Sequence, residues 1–279
     1  MEIISFINKK GGVGKTTSVG AFASIFAGVA QKKVLVVDLD PQCNVTELFG
    51  VNATNFTIRD LLLNNVSIQE VVKHIHPTTW PGIDIIPGDP DLDEAGDLLL
   101  LKSANIIGNR VILPTSAQTK LTAIFKLLEK NYDLILIDNT PYFNLITKNA
   151  LSASSGVLIP LETDGYSYRG LIKLIKKIVE VKSAVNSRLD ILGVFVTRAN
   201  KRTAVYKDLI DVFTHELGNK MMHSSISNDN KVKESNTNFI PLYYYSRKGK
   251  ATKDYIRLIL ELNLFDSITQ TKLKKELEE

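Results

Sequence analysis

Asn8-Lys9-Lys10-Gly11-Gly12-Val13-Gly14-Lys15-Thr16-Thr17 is the stretch on which the fold turns. Before it runs Ile3-Ile4-Ser5-Phe6-Ile7, an apolar segment of strand length, and after it residues 18–30 carry the small and apolar side chains of a buried helix. A strand, a glycine-rich turn and a helix together make a cradle for phosphate. Glycines let backbone N–H groups close on phosphate oxygens, and the helix N-terminus adds partial positive charge. In the pattern G-x-x-x-x-G-K-[ST] the lysine reaches the β- and γ-phosphates and the hydroxyl goes to Mg²⁺, and Lys15 and Thr16 hold those places. Lys10, Gly11, Gly12, Val13, Gly14 and Thr17 complete the loop around the phosphates. The pattern's first glycine is replaced by Lys9, and Lys10 is a second lysine inside the loop. The alternative is an ordinary glycine-rich turn with incidental lysines. Three glycines in a strand–turn–helix setting weigh against it.

A chain of 279 residues can bury a large core, and 44% hydrophobic with 23% charged residues is ordinary for a globular protein. A single cysteine, Cys43, excludes an internal disulfide framework and suits a reducing compartment. It also weighs against a bridging iron–sulfur cluster, which needs more than one cysteine per subunit. No secretory leader is visible, because Lys9 and Lys10 interrupt the N-terminus before any long apolar core. The uncharged run 16–31 is too short and too rich in Ser, Thr and Gly to span a bilayer. The expectation is a cytoplasmic protein without a membrane segment. The net charge of +4 is unevenly placed, since residues 198–257 hold 12 Lys/Arg against 6 Asp/Glu. A basic final third can meet an anionic polymer, although such a run is commonly a solvated face.

Lys33-Val34-Leu35-Val36-Val37-Asp38-Leu39-Asp40-Pro41-Gln42 is apolar on both faces, as in the middle of a parallel sheet. Ligands of such sheets bind at the carboxyl ends of the strands, so Asp38 and Asp40 are expected to face the phosphate loop. Tyr132-Asp133-Leu134-Ile135-Leu136-Ile137-Asp138-Asn139-Thr140-Pro141 repeats the pattern and ends in Asp138, which taken alone also reads as a turn or cap aspartate. Further strands are expected at 83–88, 156–162 and 190–197. Helices are expected at 44–50, from Thr57 onward, and at 91–101, 120–130, 170–182 and 204–217, with Leu98-Leu99-Leu100-Leu101 as core. Residues 105–115 carry no readable pattern. The alternation implies an α/β domain with a doubly wound, mostly parallel sheet and helices on both faces, over residues 1–264. Residues 265–279 read as a charged C-terminal tail or frayed helix.

The three boxes together resemble the deviant Walker A group of P-loop ATPases, the ParA/MinD group, over roughly residues 1–262. The resemblance implies ATP and Mg²⁺ as cofactors. It places Lys10 across a dimer interface on the partner's nucleotide, Asp38 in support of the metal shell, Asp40 on the attacking water, and Asp138 with Thr16 beside the metal. Lys10, Lys15 and Asp40 are thus the expected catalytic set, and Thr16, Asp38 and Asp138 the expected metal neighbourhood. Three positions depart from the group's pattern: Cys43 stands for a glycine, Thr140 for the first of two prolines, and Ser227 for a proline. The stretch 226–242 keeps Glu234 and Pro241 but leaves the adenine contacts unassigned.

Within the group the chain looks like a ParA-type (Soj-like) partition ATPase of the short kind. That implies an ATP-dependent homodimer that binds double-stranded DNA without sequence preference, associated with the nucleoid. It also implies a ParB-like centromere-binding partner that stimulates slow hydrolysis and couples it to plasmid or chromosome partition. Arg202 and Lys231 fall where the family places DNA-contacting residues, and Lys233, Arg247, Lys248 and Lys250 are nearby candidates. Each of these, taken singly, is also readable as a solvated charge. A MinD-like ATPase acting on a membrane surface shares the same boxes but needs a basic amphipathic C-terminal helix. The ending Leu273-Lys274-Lys275-Glu276-Leu277-Glu278-Glu279 is too acidic for one. A metabolic P-loop ligase or kinase would need a second small-molecule site, for which the sequence offers no motif.

Overall fold

The two apolar runs expected as central strands lie side by side, parallel and in register, in the computed structural model, which describes residues 1–52, 55–64, 67–107, 110–112, 114–163 and 167–279. In chain order the strands are β1 (Glu2–Phe6), β2 (Val34–Leu39), β3 (His76–Pro77), β4 (Ile83–Ile86), β5 (Asn105–Ile107), β6 (Arg110–Ile112), β7 (Leu134–Asn139), β8 (Gly156–Leu161) and β9 (Asp190–Val196). Seven form one sheet in the order β3-β4-β2-β7-β1-β8-β9. Only the edge pair β3–β4 is antiparallel among these neighbours.

Side chains alternate across this sheet, and both faces are covered. Val34 and Val36 of β2, with Leu134 and Leu136 of β7, pack with the helix Lys15–Gly28 and the closing helices. Leu35, Val37 and Leu39, with Ile135 and Ile137, pack beneath the helices Ile58–Leu63, Lys120–Leu127 and Leu145–Ala153. Val157 and Ile159 of β8 join a third cluster under the helices Ser167–Ala184 and Ala204–Leu217. Burial on both faces is the physical reason these strands read as unbroken apolar runs. The doubly wound α/β architecture expected from the sequence is the one observed.

Register places the site. Asp38 of β2 is the pairing partner of Asp138 of β7, and Asp138 is in turn level with Phe6, the last residue of β1. The strand order β2-β7-β1 therefore brings both acidic strand ends and the start of the glycine loop to one edge of the sheet.

Three stretches differ from the sequence reading. The leucine run is not uniformly core. Leu99 is buried, whereas Leu100 is exposed and Leu101 is 73% exposed. Four consecutive residues of a helix wrap around most of its circumference, and the buried face here is Leu92, Ala95, Gly96 and Leu99. The stretch without a readable pattern contains the antiparallel hairpin β5–β6, with residues 108–109 and 113 outside those described. The third difference is at the C-terminus, where Ser267–Glu278 is a docked helix and not a tail. Asp266 caps it by accepting the Thr269 N–H at 2.7 Å. Thr269, Leu273 and Glu276 form its buried face. Arg247 donates from Nε and Nη2 to the two oxygens of Glu276, both at 2.6 Å. Lys32 pairs with Asp266 at the helix start.

A docked helix and a frayed tail differ measurably. Leu273→Ala should lower the unfolding free energy by about 2–4 kcal/mol in a urea melt. Lys274→Ala, on the exposed side of the same helix, should leave it within about 0.5 kcal/mol. Indistinguishable melts for the two variants would return the segment to a tail.

Candidate active site

The glycine loop leads directly into the helix, which starts at Lys15 and not at Ser18. Gly14 occupies the cap position with φ 88°, and Gly12 has φ 76°, both in the left-handed region that side chains resist. Among the described residues nothing beyond the chain neighbours lies within 4 Å of where a Cβ would stand at Gly11 or Gly12. The loop is thus bare on its open side. The helix has no side-chain cap and no acid in its first turn, so its N–H groups are left for an anion.

Contacts from distant segments hold the loop in place. Asn8 donates from Nδ2 to the Pro160 carbonyl at 2.7 Å, and the Lys10 N–H donates to Asn8 Oδ1 at 3.0 Å. Thr197, just past β9, donates its hydroxyl to the Val13 carbonyl at 2.9 Å. Asn236 reaches from the helix Asn230–Thr237 to the Thr17 hydroxyl at 3.0 Å. Lys10, Gly11, Gly12, Val13, Gly14, Lys15, Thr16 and Thr17 all fall in this one loop and first helical turn, as the sequence placed them.

Lys15 is buried, and desolvation holds its ammonium below the usual lysine range against the pull of Asp138 and Asp40. Thr16 donates to Asp138 Oδ2 at 2.6 Å, while Asp138 Oδ1 is buried with no hydrogen-bond partner among the described residues. Asp38 is differently placed. Its carboxylate accepts the Asp40 N–H at 3.0 Å, the Thr46 N–H at 3.1 Å and the Thr46 hydroxyl at 2.7 Å. Both oxygens of Asp38 therefore hold the turn that follows β2. Any influence of Asp38 on a metal is through that turn and through its charge. Asp40 stands at the cavity wall, 9% exposed, and accepts the Gln42 N–H at 3.0 Å.

Burial pushes the carboxyl groups of Asp38 and Asp138 above the usual carboxylate range, and for Asp138 the neighbouring Asp38 charge pushes the same way. Two repelling carboxylates, an unpaired oxygen and an adjacent hydroxyl form a hard-oxygen set that fits a small divalent cation such as Mg²⁺. In front of them is a cavity of about 580 Å³, lined by the loop, Asp40, Tyr142, Arg198, Asn236 and Phe239. A bare N–H cradle, a buried ammonium and this volume suit a nucleoside triphosphate.

The three departures have local explanations. Cys43 adopts φ 53°, the left-handed backbone that favours glycine, so the turn is kept in spite of the side chain. Burial and the nearby acids push its thiol up to about 12, which makes it a packing group and not a nucleophile. Thr140 is buried at the foot of the cavity wall, and its hydroxyl accepts the Tyr142 N–H at 3.4 Å. Ser227 donates to Asp254 Oδ2 the N–H that a proline would lack, at 3.0 Å.

The basic candidates are all exposed, on the loops and helices that follow β9. Arg202 precedes the helix Ala204–Leu217, Lys231 and Lys233 lie on Asn230–Thr237, and Arg247, Lys248 and Lys250 border the helix Lys250–Leu262. Arg247 is held by Glu276 and Glu279, which gives it a structural task. Lys231 pairs with Glu234 at 2.8 Å and lies 5.8 Å from the Tyr245 ring centre. Sequence reasoning missed Glu162, Arg198, Asn236 and Phe239 as neighbours of the site. No motif marks them, and they arrive from three separate segments, the ends of β8 and β9 and the stretch 236–239.

Residues 1–191 match a family model described as an AAA domain. The chain is 30% identical to the chromosome-partitioning ATPase Soj of Treponema pallidum, over 94% of this chain and 96% of that one. It is 31% identical to the chromosome partitioning protein ParA of Myxococcus xanthus, over 94% of this chain and 87% of that one. Among solved structures it resembles Cyanothece McdA in complex with ATP, with a TM-score of 0.79 and 21% identity, over 95% of this chain and 98% of that one. That last likeness speaks to the fold.

The carboxylate pair sets a stability test. Both groups are raised in the folded chain, so folding takes up protons, and the associated stability is present in acid and lost as pH climbs through the raised values. Asp138→Asn should therefore melt higher than the parent chain. Its advantage should grow from about pH 5 to about pH 8, at roughly 2–4 °C per kcal/mol. The same variant should bind Mg-ATP more weakly, as read by titration calorimetry. A variant that melts lower at every pH would remove the repulsion from the account.

Proposed function

We propose a DNA-partition function, and the premise is that this chain belongs to the ParA/Soj family of P-loop ATPases. The observation that carries the chemistry is the convergence of Lys15, Thr16 and Asp40 on one cavity at the mouth of the glycine loop, with Asp138 buried behind Thr16 and bonded to its hydroxyl. The loop N–H groups and Lys15 would hold the β- and γ-phosphates, and the desolvated ammonium is electrostatically stronger there than in water. Thr16 and the unpaired oxygen of Asp138 would hold Mg²⁺ through its inner or water shell, and Asp38 would act only indirectly. When bound, Mg²⁺ supplies positive charge to the oxygens of the transferring phosphoryl group. Asp40, on the cavity wall, would orient the attacking water for in-line displacement. Lys10, on the rim of the loop, would act in trans on the nucleotide of a second copy, as an arginine finger does. Hydrolysis then depends on a homodimer. Slow, partner-stimulated turnover follows from that arrangement, with a ParB-like centromere-binding protein as the stimulating partner.

Basic residues on the loops after β9 would carry DNA in the ATP state through phosphate contacts, which need no base reading. Arg202, Lys233, Lys248 and Lys250 are the stronger candidates, with Lys231 beside them and Arg247 in support. A membrane-surface role draws less support. The apolar side chains Leu273 and Leu277 of the last helix pack inward, with Ile268 its exposed large apolar residue. No described helix is long and apolar enough to cross a membrane. The expected setting is the nucleoid.

Gel shifts on arbitrary duplex DNA with ATP, ADP or no nucleotide test the whole reading, and binding restricted to ATP is the expected result. Lys15→Ala should lose about 2–5 kcal/mol of nucleotide affinity. Asp40→Ala should retain ATP and DNA but not turn over, and full hydrolysis in that variant removes Asp40 from the chemistry. Arg202→Ala should weaken DNA binding on every sequence alike and lower the slope of log affinity against log salt by about 1. An unchanged salt slope would move the DNA surface elsewhere.

A further inference from the structure

Glu162 joins two cations at the edge of the phosphate loop. Its Oε2 is 2.9 Å from Lys10 Nζ, and its Oε1 is 2.7 Å from Arg198 Nη1. The strand register makes this meeting unavoidable. β1 and β8 run parallel with Phe6 opposite Leu158, and Lys10 and Glu162 each lie four residues beyond that pair. β8 and β9 run parallel with Leu161 opposite Val196, so Arg198 emerges one residue further along than Glu162. Arg198 has φ 49°, a left-handed backbone that an arginine adopts only when its surroundings enforce it, and its side chain lines the nucleotide cavity. The Asn8 bond to the Pro160 carbonyl fixes the loop to β8 just before Glu162.

We propose that Glu162 is a positioning residue that holds Lys10 within its own chain until a second triphosphate-loaded copy draws it away, and that Arg198 neutralises Glu162 when Lys10 leaves. The inference rests on the reading that Lys10 acts in trans. A lysine that reaches a partner's nucleotide must leave its own β8, so the Lys10–Glu162 pair opposes dimerisation. A carboxylate deserted by its only strong cation would be costly at 20% side-chain exposure. With Arg198 at 2.7 Å on the other oxygen, Glu162 gives up Lys10 without being stranded. The two cations therefore act in opposite directions on the same equilibrium. Glu162 retains the lysine, and Arg198 eases its release.

An exposed ion pair of this kind is worth up to about 1 kcal/mol, or about fivefold in an equilibrium constant. A twofold-symmetric dimer breaks two such pairs, so the factor enters twice and reaches about 25-fold. The test measures the dimer dissociation constant of the full chain by sedimentation velocity with Mg²⁺ and a non-hydrolysable ATP analogue. Four proteins are compared: the parent chain, Glu162→Gln, Arg198→Gln and Lys10→Ala. Glu162→Gln should dimerise about 5- to 25-fold more tightly, and Arg198→Gln more weakly than the parent. Thermal melts of both should stay near that of the parent. A purely structural ion-pair cluster would move both variants the same way, and that result, or an unchanged Glu162→Gln, overturns the proposal. Lys10→Ala separates the two levels. If it dimerises like the parent, the trans role of Lys10 fails. If it stays monomeric while Glu162→Gln is unchanged, only the holding role of Glu162 fails.

Discussion

Asp38 and Asp138 stand level on neighbouring buried strands, and the burial of two adjacent carboxylates, with the Asp38 charge adding to it at Asp138, is the constraint around which the site is arranged. Their strands present them identically, but their partners differ. Asp38 is surrounded by three donors from its own loop, whereas Asp138 receives one hydroxyl and has one buried oxygen without a hydrogen-bond partner among the described residues. The first carboxylate therefore shapes backbone, and the second is committed to the single hydroxyl of Thr16. The Lys15 ammonium is drawn by Asp138 and Asp40 and opposed by its own burial. A triphosphate with its cation would supply to this site the charges each group lacks. Such a site is less stable empty than filled, a common relation between function and stability.

The cradle itself belongs to no single segment. Its floor is the β1 loop, its brace is β8 through Asn8, its back is Thr197 after β9, and its side is Asn236 from the helix beyond. Each contact is one hydrogen bond, individually worth about 1 kcal/mol. Together they set the loop's shape before any ligand arrives, which lowers the ordering cost of binding. Arg247 extends the same logic to the C-terminus. By bonding to Glu276 it ties the basic turn 246–250 to the last helix, so that helix steadies the loop that bears Lys248 and Lys250.

How much of this was legible in the sequence depended on whether a feature is local. The glycine loop, β2 with its two aspartates, and β7 with Asp138 are each contained within about ten residues, and periodicity with turn chemistry reads such units well. The last helix was not legible because one of its three buried positions is Glu276, whose partner Arg247 is 29 residues away. Hydrophobic patterning has no means to recognise a buried carboxylate that is satisfied at such a distance. The leucine run failed for the opposite reason. Its hydrophobicity was read without its phase, and phase places Leu101 toward solvent. Arg198, Glu162 and Asn236 could be found only once strand order and register were known.

Backbone strain follows the same division. Among the described residues, six that are not glycine hold positive φ: Gln31, Cys43, Phe56, Arg198, Phe239 and Asn263. Arg198 and Phe239 line the nucleotide cavity, and Cys43 caps the turn that Asp38 organises. Each such residue costs on the order of 1–3 kcal/mol unless its surroundings enforce the conformation. Around the cavity they do. The Cys43 N–H donates to the Asp40 carbonyl, Arg198 is held by Glu162, and the Phe239 N–H donates to the Asn236 carbonyl. The strained positions are thus placed where a side chain has to be aimed at a fixed point, and the aiming is done by neighbours that themselves contact the loop. Relaxing any one of them would turn a side chain or a turn away from the cavity while leaving the sheet beneath intact, because the sheet's stability resides in cores that these residues do not enter.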